Sequence, residues 1–205
     1  MKFDLHLHTS RHSPDSVTHP FDLLRSAHRA GLDGVVLTEH DYWWPEDELA
    51  ELRTFAPDLV ILSGMEVTGR GGDVLVYGIT DPSPFFRGIG WVDLVREVHQ
   101  QGGAAVAAHP NRWGQPFERL VAETAVELDG IEVLSNNMDD ELREKAAKLL
   151  TRYPHFAQLG NSDSHDPSTV GCCYTDFAAE IRTATDLVAA IRGLKGVARV
   201  NDRCG

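Results

Sequence analysis

Three cysteines among 205 residues make no disulfide framework: Cys172 and Cys173 are adjacent, Cys204 sits beside the last residue, and no CxxC spacing occurs. Basic residues are scarce too. Nineteen Lys and Arg stand against thirty-one Asp and Glu, a formal net charge of −12, which argues against bulk electrostatic capture of nucleic acid or an anionic membrane. A small anionic substrate stays open, because bound divalent cations invert the local field of a carboxylate-rich site. No apolar run approaches the ~18 residues of a membrane span. Polarity rises directly after Lys2, without the apolar stretch of a secretory signal. These absences predict a cytoplasmic protein with no membrane partner. No linker, low-complexity tract or internal repeat interrupts the chain, so one domain over 1–205 is expected.

Histidine, by contrast, is abundant, at ten residues. Asp4-Leu5-His6-Leu7-His8 alternates polar and apolar residues with the period of a strand. Residues i and i+2 of a strand share a face, so His6 and His8 project side by side. A divalent cation is the usual reason to hold two imidazoles together. A plain solvated strand end is the bland alternative.

Strand-like runs recur at Phe3–Leu7, Gly34–Thr38, Leu59–Leu62, Val74–Ile79, Ala104–Ala108, Gly130–Leu134 and Phe156–Gly160. Helical patterns lie between them at Pro20–Ala30, Trp91–Gln101, Phe117–Glu127 and Asp139–Tyr153, and later at Ala184–Leu194 with Thr183 as N-cap. This alternation predicts an α/β fold with a mostly parallel sheet and helices outside, as a barrel or a doubly wound sheet. In such folds the ligand site collects at the C-terminal strand ends. Those ends deliver, in order, His6 and His8; Glu39-His40-Asp41; Glu66; His109 with Arg112; and Asp163 with His165, while Asp73 enters the fourth strand. Scattered surface residues would not fall in this order.

The segments DLHLHT at 4–9, SPDS at 13–16, GLDGVVLTEHD at 31–41, GMEVTG at 64–69, AAHPNR at 107–112, GIEVLSNN at 130–137 and GNSDSHDP at 160–167 together resemble the polymerase-and-histidinol-phosphatase (PHP) family of metal-dependent phosphoesterases. The resemblance implies a distorted (β/α)7 barrel with two or three divalent metals (Mn, Zn or Fe) at the C-terminal rim. It implies that His6, His8 and Asp163 bind the first metal and that Glu66 bridges the first and second. His109 would bind the second, and Asp15, His40 and His165 would enclose a third. Many relatives carry a histidine where this chain has Asp73. A carboxylate there can still ligate, with a harder donor set that shifts the preference toward manganese or iron. An Asp is also commoner than Glu39 before that histidine.

Cations placed close together can share and acidify a water while holding phosphate oxygens. Arg112, three residues after His109, is the candidate phosphate clamp, since its planar fork suits that anion. Asp163 is a candidate to take a proton from the attacking water, or it only ligates. Several alternatives stay open. Ser-Pro-Asp-Ser is also a turn sequence, and His12 could replace Asp15. Gly71-Gly72-Asp73 also reads as a hairpin turn, and Arg112 as a solvated rim cation. Asp4, Asp41 and Glu132 suit the fixing of imidazole tautomers. Tyr42, Trp43 and Trp44 form either a substrate-stacking rim or a helix-entry staple. His19, His28, His99 and His155 read as structural, and Cys172 and Cys173 as packing.

The expected activity is metal-dependent hydrolysis of a small phosphomonoester, such as a nucleotide, a sugar phosphate or histidinol phosphate. The alternatives are a phosphodiesterase or nuclease on short nucleic acid, and a non-catalytic metal-binding module. A metal-dependent amidase is more remote. The partner is then a small phosphorylated substrate, with long nucleic acid disfavoured by charge.

Overall fold

In the computed structural model, which describes residues 1–115, 117–124 and 127–202, the strands form one nine-stranded sheet ordered β7-β6-β5-β4-β3-β2-β1-β8-β9. The strands are β1 (Lys2–Asp4), β2 (Gly34–Leu37), β3 (Val60–Gly69), β4 (Gly72–Tyr77), β5 (Ala104–Ala107), β6 (Gly130–Leu134), β7 (Ala157–Gly160), β8 (Cys173–Phe177) and β9 (Gly196–Val200). The sheet curls until its ends meet. Thr175 of β8 exchanges hydrogen bonds with the Gly160 backbone of β7 at 3.0 and 2.9 Å. The result is a nearly closed barrel in an α/β fold.

Among the described residues six α-helices are interspersed: α1 (Pro20–Ala30), α2 (Glu46–Phe55), α3 (Trp91–Gln100), α4 (Phe117–Thr124), α5 (Asp140–Arg152) and α6 (Ala184–Arg192). Their ends follow local chemistry. Pro20 opens α1 and Gly31, in the left-handed region at φ 73°, closes it. Thr183 and Asp186 form a reciprocal capping box on α6. The expected helix Phe117–Glu127 agrees at its start, but it crosses positions outside the described residues; Cys204 lies outside them as well. Cys172 and Cys173 are buried free thiols at the entry to β8. Among the described residues no helix is long and apolar enough to cross a membrane.

Three features depart from the sequence expectation. The sheet is mixed, because β4 runs antiparallel to β3 and β5, and β8 runs antiparallel to β1 and β9. Helix α2 has an acidic first turn behind Pro45, but it buries only Leu49 and Leu52 and so shows a thin apolar stripe. Strand β9 is largely exposed, which blurs its alternation.

Alternation sorts the core. Val36, Leu62, Leu75, Val106 and Leu159 face one another inside the barrel, where they join Leu187, Val188 and Ile191 of α6. Their neighbours Val35, Leu37 and Ile61 pack outward on α1 and α2, and Val74, Val76, Ala105, Ala107 and Ile131 pack on α3 to α5. Val188 meets Gly78 just beyond β4. Because β4 is reversed, α6 therefore plugs the end opposite the start of β4, and Asp73 stands at the open end.

Close approach of β1 and β2 depends on Gly34, which is paired with Phe3. A Cβ at Gly34 would meet Phe3 Cε1 at 2.2 Å, and Phe3 is fully buried in edge contact with Phe177, ring centroids 6.2 Å apart. Gly34→Ala should destabilise by about 1–3 kcal/mol through overpacking. Thermal unfolding checks this: a melting temperature equal to that of the wild type would refute it.

Candidate metal centre

Beyond β1 the chain stays extended through Leu7, which bridges to Ser164. Leu5 and Leu7, which flank His6, are fully buried in the core. The His6 and His8 rings are fully buried with centroids 5.0 Å apart. Both Nε2 atoms lie 3.3 Å from Glu66 Oε2, and they lie 3.3 and 3.4 Å from Asp163 Oδ1. Glu66 is within β3, which continues past the expected Leu59–Leu62 because it forms a hairpin with β4. The same hairpin sets Asp73 opposite Thr68. Asp73 is thus both next to the turn and close enough to Glu66 and His109 for one cation to touch all three.

His109 follows β5 and places Nε2 3.1 Å from Glu66 Oε1. His40 places Nδ1 2.8 Å from Glu66 Oε2 and Nε2 3.1 Å from Asp15 Oδ2. His165 Nε2 lies 3.4 Å from the same Asp15 oxygen. Three further sets have ligand atoms within 4.8 Å of one another: His6, His8 and Glu66; His6, His109 and Asp163; and His8, His40 and His165. All nine expected metal-site residues therefore meet at one end of the barrel. Asp15 is the most exposed of them and reaches only the outer imidazoles.

The donor set fits a divalent cation. His6 Nε2, His8 Nε2 and Glu66 Oε2 are buried and have no hydrogen-bond partner, a condition that native interiors rarely tolerate. They converge on one another, and neutral imidazole and carboxylate are the donors such ions take. With protons alone the cluster balances its charge differently. Burial opposes the charged His6 ring, but Asp163, Glu132 and Glu66 raise its pKa well above 6.5. His40 is disfavoured by burial and then raised by Glu66 and Asp15 to about 9. Glu66 and Asp163 are pushed up by burial, yet the adjoining histidines hold both below the usual carboxylate range. Burial and the Glu66 charge raise Asp73.

The groups behind this layer agree only partly with expectation. Glu132 receives His6 Nδ1 at 3.0 Å and the His109 backbone N–H at 2.7 Å, fixing both. His8 Nδ1 lies 3.2 Å from Ser13 Oγ, which donates to Glu39. Asp4 and Asp41 touch no imidazole ring. Asp4 accepts the Ser162 and Gly171 backbone N–H groups, whereas Asp41 accepts Thr68 N–H and pairs with Arg87. His12 stacks on Tyr42 at 3.9 Å and bonds Glu48, so it stands apart from the site. Trp44 is buried with Nε1 donating to Glu39, and Trp43 packs on the core. Tyr42, Trp43 and Trp44 are packing residues, not a rim.

Arg112 Nη1 lies 3.1 Å from Asp163 Oδ2, and Asn137 donates to the same oxygen at 2.8 Å. Asn137 was not singled out by the sequence, although it falls in the segment 130–137. A cleft of about 320 Å³ lies over the cluster, lined by Asp15, His40, Glu66, Asp73, His109, Arg112, Asp163 and His165, and also by Thr68, Arg87 and Trp113. Non-glycine residues at positive φ gather around it: among the described residues they are Asp41, His109, Asn111, Trp113 and Asp163, with Leu194 elsewhere. Such backbone costs of order 1–3 kcal/mol each and tends to cluster where side chains must be aimed.

Comparison with known proteins supports this architecture. A PHP-associated family profile matches residues 141–195. An uncharacterized protein of Methanocaldococcus jannaschii is 28% identical over 171 residues, 77% of this chain and 96% of that protein. A two-domain protein of Bacteroides vulgatus, described as containing a predicted PHP-like metal-dependent phosphoesterase, superposes with a TM-score of 0.76 at 22% identity over 98% of this chain. This chain spans 65% of that protein's length. A lesion-specific endonuclease from Pyrococcus furiosus superposes with a TM-score of 0.67 at 16% identity, covering 97% of this chain and 57% of the other.

Proposed function

We propose that the chain is a PHP-family metal-dependent phosphoesterase acting on a small phosphomonoester, with residues 1–205 as one domain. The observation that carries this reading is the convergence of the unpartnered His6 Nε2, His8 Nε2 and Glu66 Oε2 beneath a cleft edged by Arg112. His6, His8 and Asp163 would hold one divalent ion and His109 with Asp73 a second, Glu66 being shared. Asp15, His40 and His165 would hold a third. When bound, such ions supply Lewis acidity toward phosphate oxygens and make water a nucleophile near neutral pH. Arg112 retains donors beyond the one on Asp163, so it can clamp a phosphate while staying anchored. Asn137 keeps Asp163 oriented, and Asp163 would take a proton from the attacking water in addition to ligating. Glu132 holds His6 with Nε2 toward the cleft.

A phosphodiesterase reading has one specific observation behind it. Arg119, Lys145, Lys148 and Arg152 line a groove that reaches Asn111, next to Arg112. Three of these pair with Glu141, Glu144 and Glu118, which weakens the groove as a polyanion track. The monoester reading is therefore preferred, although one structural neighbour is an endonuclease.

Phosphate release from a panel of monoesters, with manganese and separately with zinc, tests the proposal. Metal-dependent turnover that is lost in His6→Ala is expected. A metal-loaded protein that is silent on every monoester yet cleaves a dinucleotide would move the assignment to the diester.

A further inference from the structure

Trp113 is the most exposed large hydrophobic side chain among the described residues, at 73%, and it stands on the wall of the cleft. An indole is costly to leave in water, and an exposed one beside a polar cleft usually marks a contact. Its backbone is unusual as well: φ is 54° at Trp113, between 69° at Asn111 and 74° at Gly114. The left-handed region disfavours a bulky L-residue by about 1–2 kcal/mol. The turn therefore maintains a strained backbone and leaves a large ring in solvent.

The ring is also oriented from within the site. The Arg112 guanidinium lies 4.1 Å over it, and that guanidinium is anchored on Asp163 at 3.1 Å. The indole and the His109 imidazole meet in a T-shaped contact, centroids 5.6 Å apart, and His109 in turn faces Glu66. Through these contacts the aromatic plane is held relative to the place where a phosphate would react. The outer groups of a bound phosphoester would run toward it.

Resting on the phosphoesterase reading, we propose that Trp113 is the specificity-determining platform of this cleft. It stacks on a flat aromatic ring carried by the substrate's alcohol, so the preferred substrates are phosphoesters of nucleosides or aryl alcohols rather than of aliphatic polyols. A face-to-face stack of this kind is sequence-tolerant and typically contributes tenfold or more to affinity. Arg112 then has two roles, on the phosphate and beneath the indole.

The test compares adenosine monophosphate, 1-naphthyl phosphate and glycerol 2-phosphate with the wild type, Trp113→Ala and Trp113→Phe. Trp113→Ala should lose about tenfold in kcat/KM on the two aromatic esters, mainly through KM, and stay within about twofold on glycerol 2-phosphate. Trp113→Phe should recover most of the loss. Loss on both aromatic esters assigns any flat ring, and loss on the nucleotide alone assigns a purine. A loss equal on all three would make Trp113 a mere prop for Arg112 and overturn the proposal, as would no loss on any. A second readout needs no turnover: adenosine monophosphate should quench tryptophan fluorescence of the chelator-treated protein but not of Trp113→Phe, while glycerol 2-phosphate quenches neither. If no ester is hydrolysed and this quench persists, the platform stands and the phosphoesterase reading alone fails. An identical quench in Trp113→Phe would overturn the platform.

Discussion

Replacing Glu66 with Gln should abolish hydrolysis while leaving the barrel folded. Glu66 Oε2 faces His6, His8 and His40, and Oε1 faces His109, so one carboxylate joins every imidazole of the inner cluster. Glutamine keeps the shape but offers one oxygen instead of two and no charge. A bound cation contributes several kcal/mol to stabilising transition-state charge. At about 1.4 kcal/mol per tenfold, its loss corresponds to about a thousandfold or more in kcat/KM. Steady-state phosphate release, with metal content measured by atomic absorption, checks the prediction. Activity within tenfold of the wild type would exclude Glu66 from the centre. Circular dichroism separates this from unfolding, because the fully buried apolar residues of the barrel interior do not depend on Glu66.

The second large effect is a reversal of pH dependence by metal. In the metal-free protein His6, His8, His40 and His109 have pKa values raised above 6.5, to about 9 for His40. Burial opposes each, but the facing carboxylates outweigh it. The folded state then holds more protons than the unfolded one between the unfolded and folded pKa values. The contribution is fully present below about pH 6.5 and is lost as pH rises through about 9. Glu66 and Asp163, held low, stay ionised throughout that window. Chelator-treated protein should therefore melt roughly 3–6 °C lower at pH 8.5 than at pH 6.5. Divalent ions need the same imidazoles deprotonated, so their binding strengthens with pH. At a hundredfold excess over Kd, manganese should add about 2.7 kcal/mol of stability, with a larger gain at pH 8.5 than at 6.5. Thermal melts at the two pH values, with chelator and with manganese, decide it. A manganese gain that shrinks with rising pH would contradict the assignment of these histidines as ligands.

Much of this is legible in the sequence because periodicity is local. The i, i+2 pair His6 and His8 shares a face through strand geometry alone. The stripe Trp91, Leu94, Val95 and Val98 is buried on one side of α3 as its spacing predicts. The order of motifs places most candidate ligands after a strand, and the barrel brings those ends together. Helix α2 and strand β9 escaped because their burial is partial and their patterns are correspondingly faint.

What tertiary structure alone decided lies in contacts between distant segments. The reversed direction of β4 turns Asp73 from a turn residue into a neighbour of Glu66 and His109, and no single-strand pattern encodes direction. Asn137 and Arg112 meet Asp163 across 26 and 51 positions, while Glu132 reaches His6 across 126. Among Asp4, Asp41 and Glu132 the sequence offered three equivalent carboxylates, and only packing selected Glu132 for the imidazole. Likewise the sequence singled out the three aromatics at 42–44 and not Trp113, yet packing took those three and a left-handed turn set Trp113 on the cleft. Residue type and spacing state which chemistry is available; which groups share a few ångströms depends on chain closure, because those distances arise only when the barrel is complete.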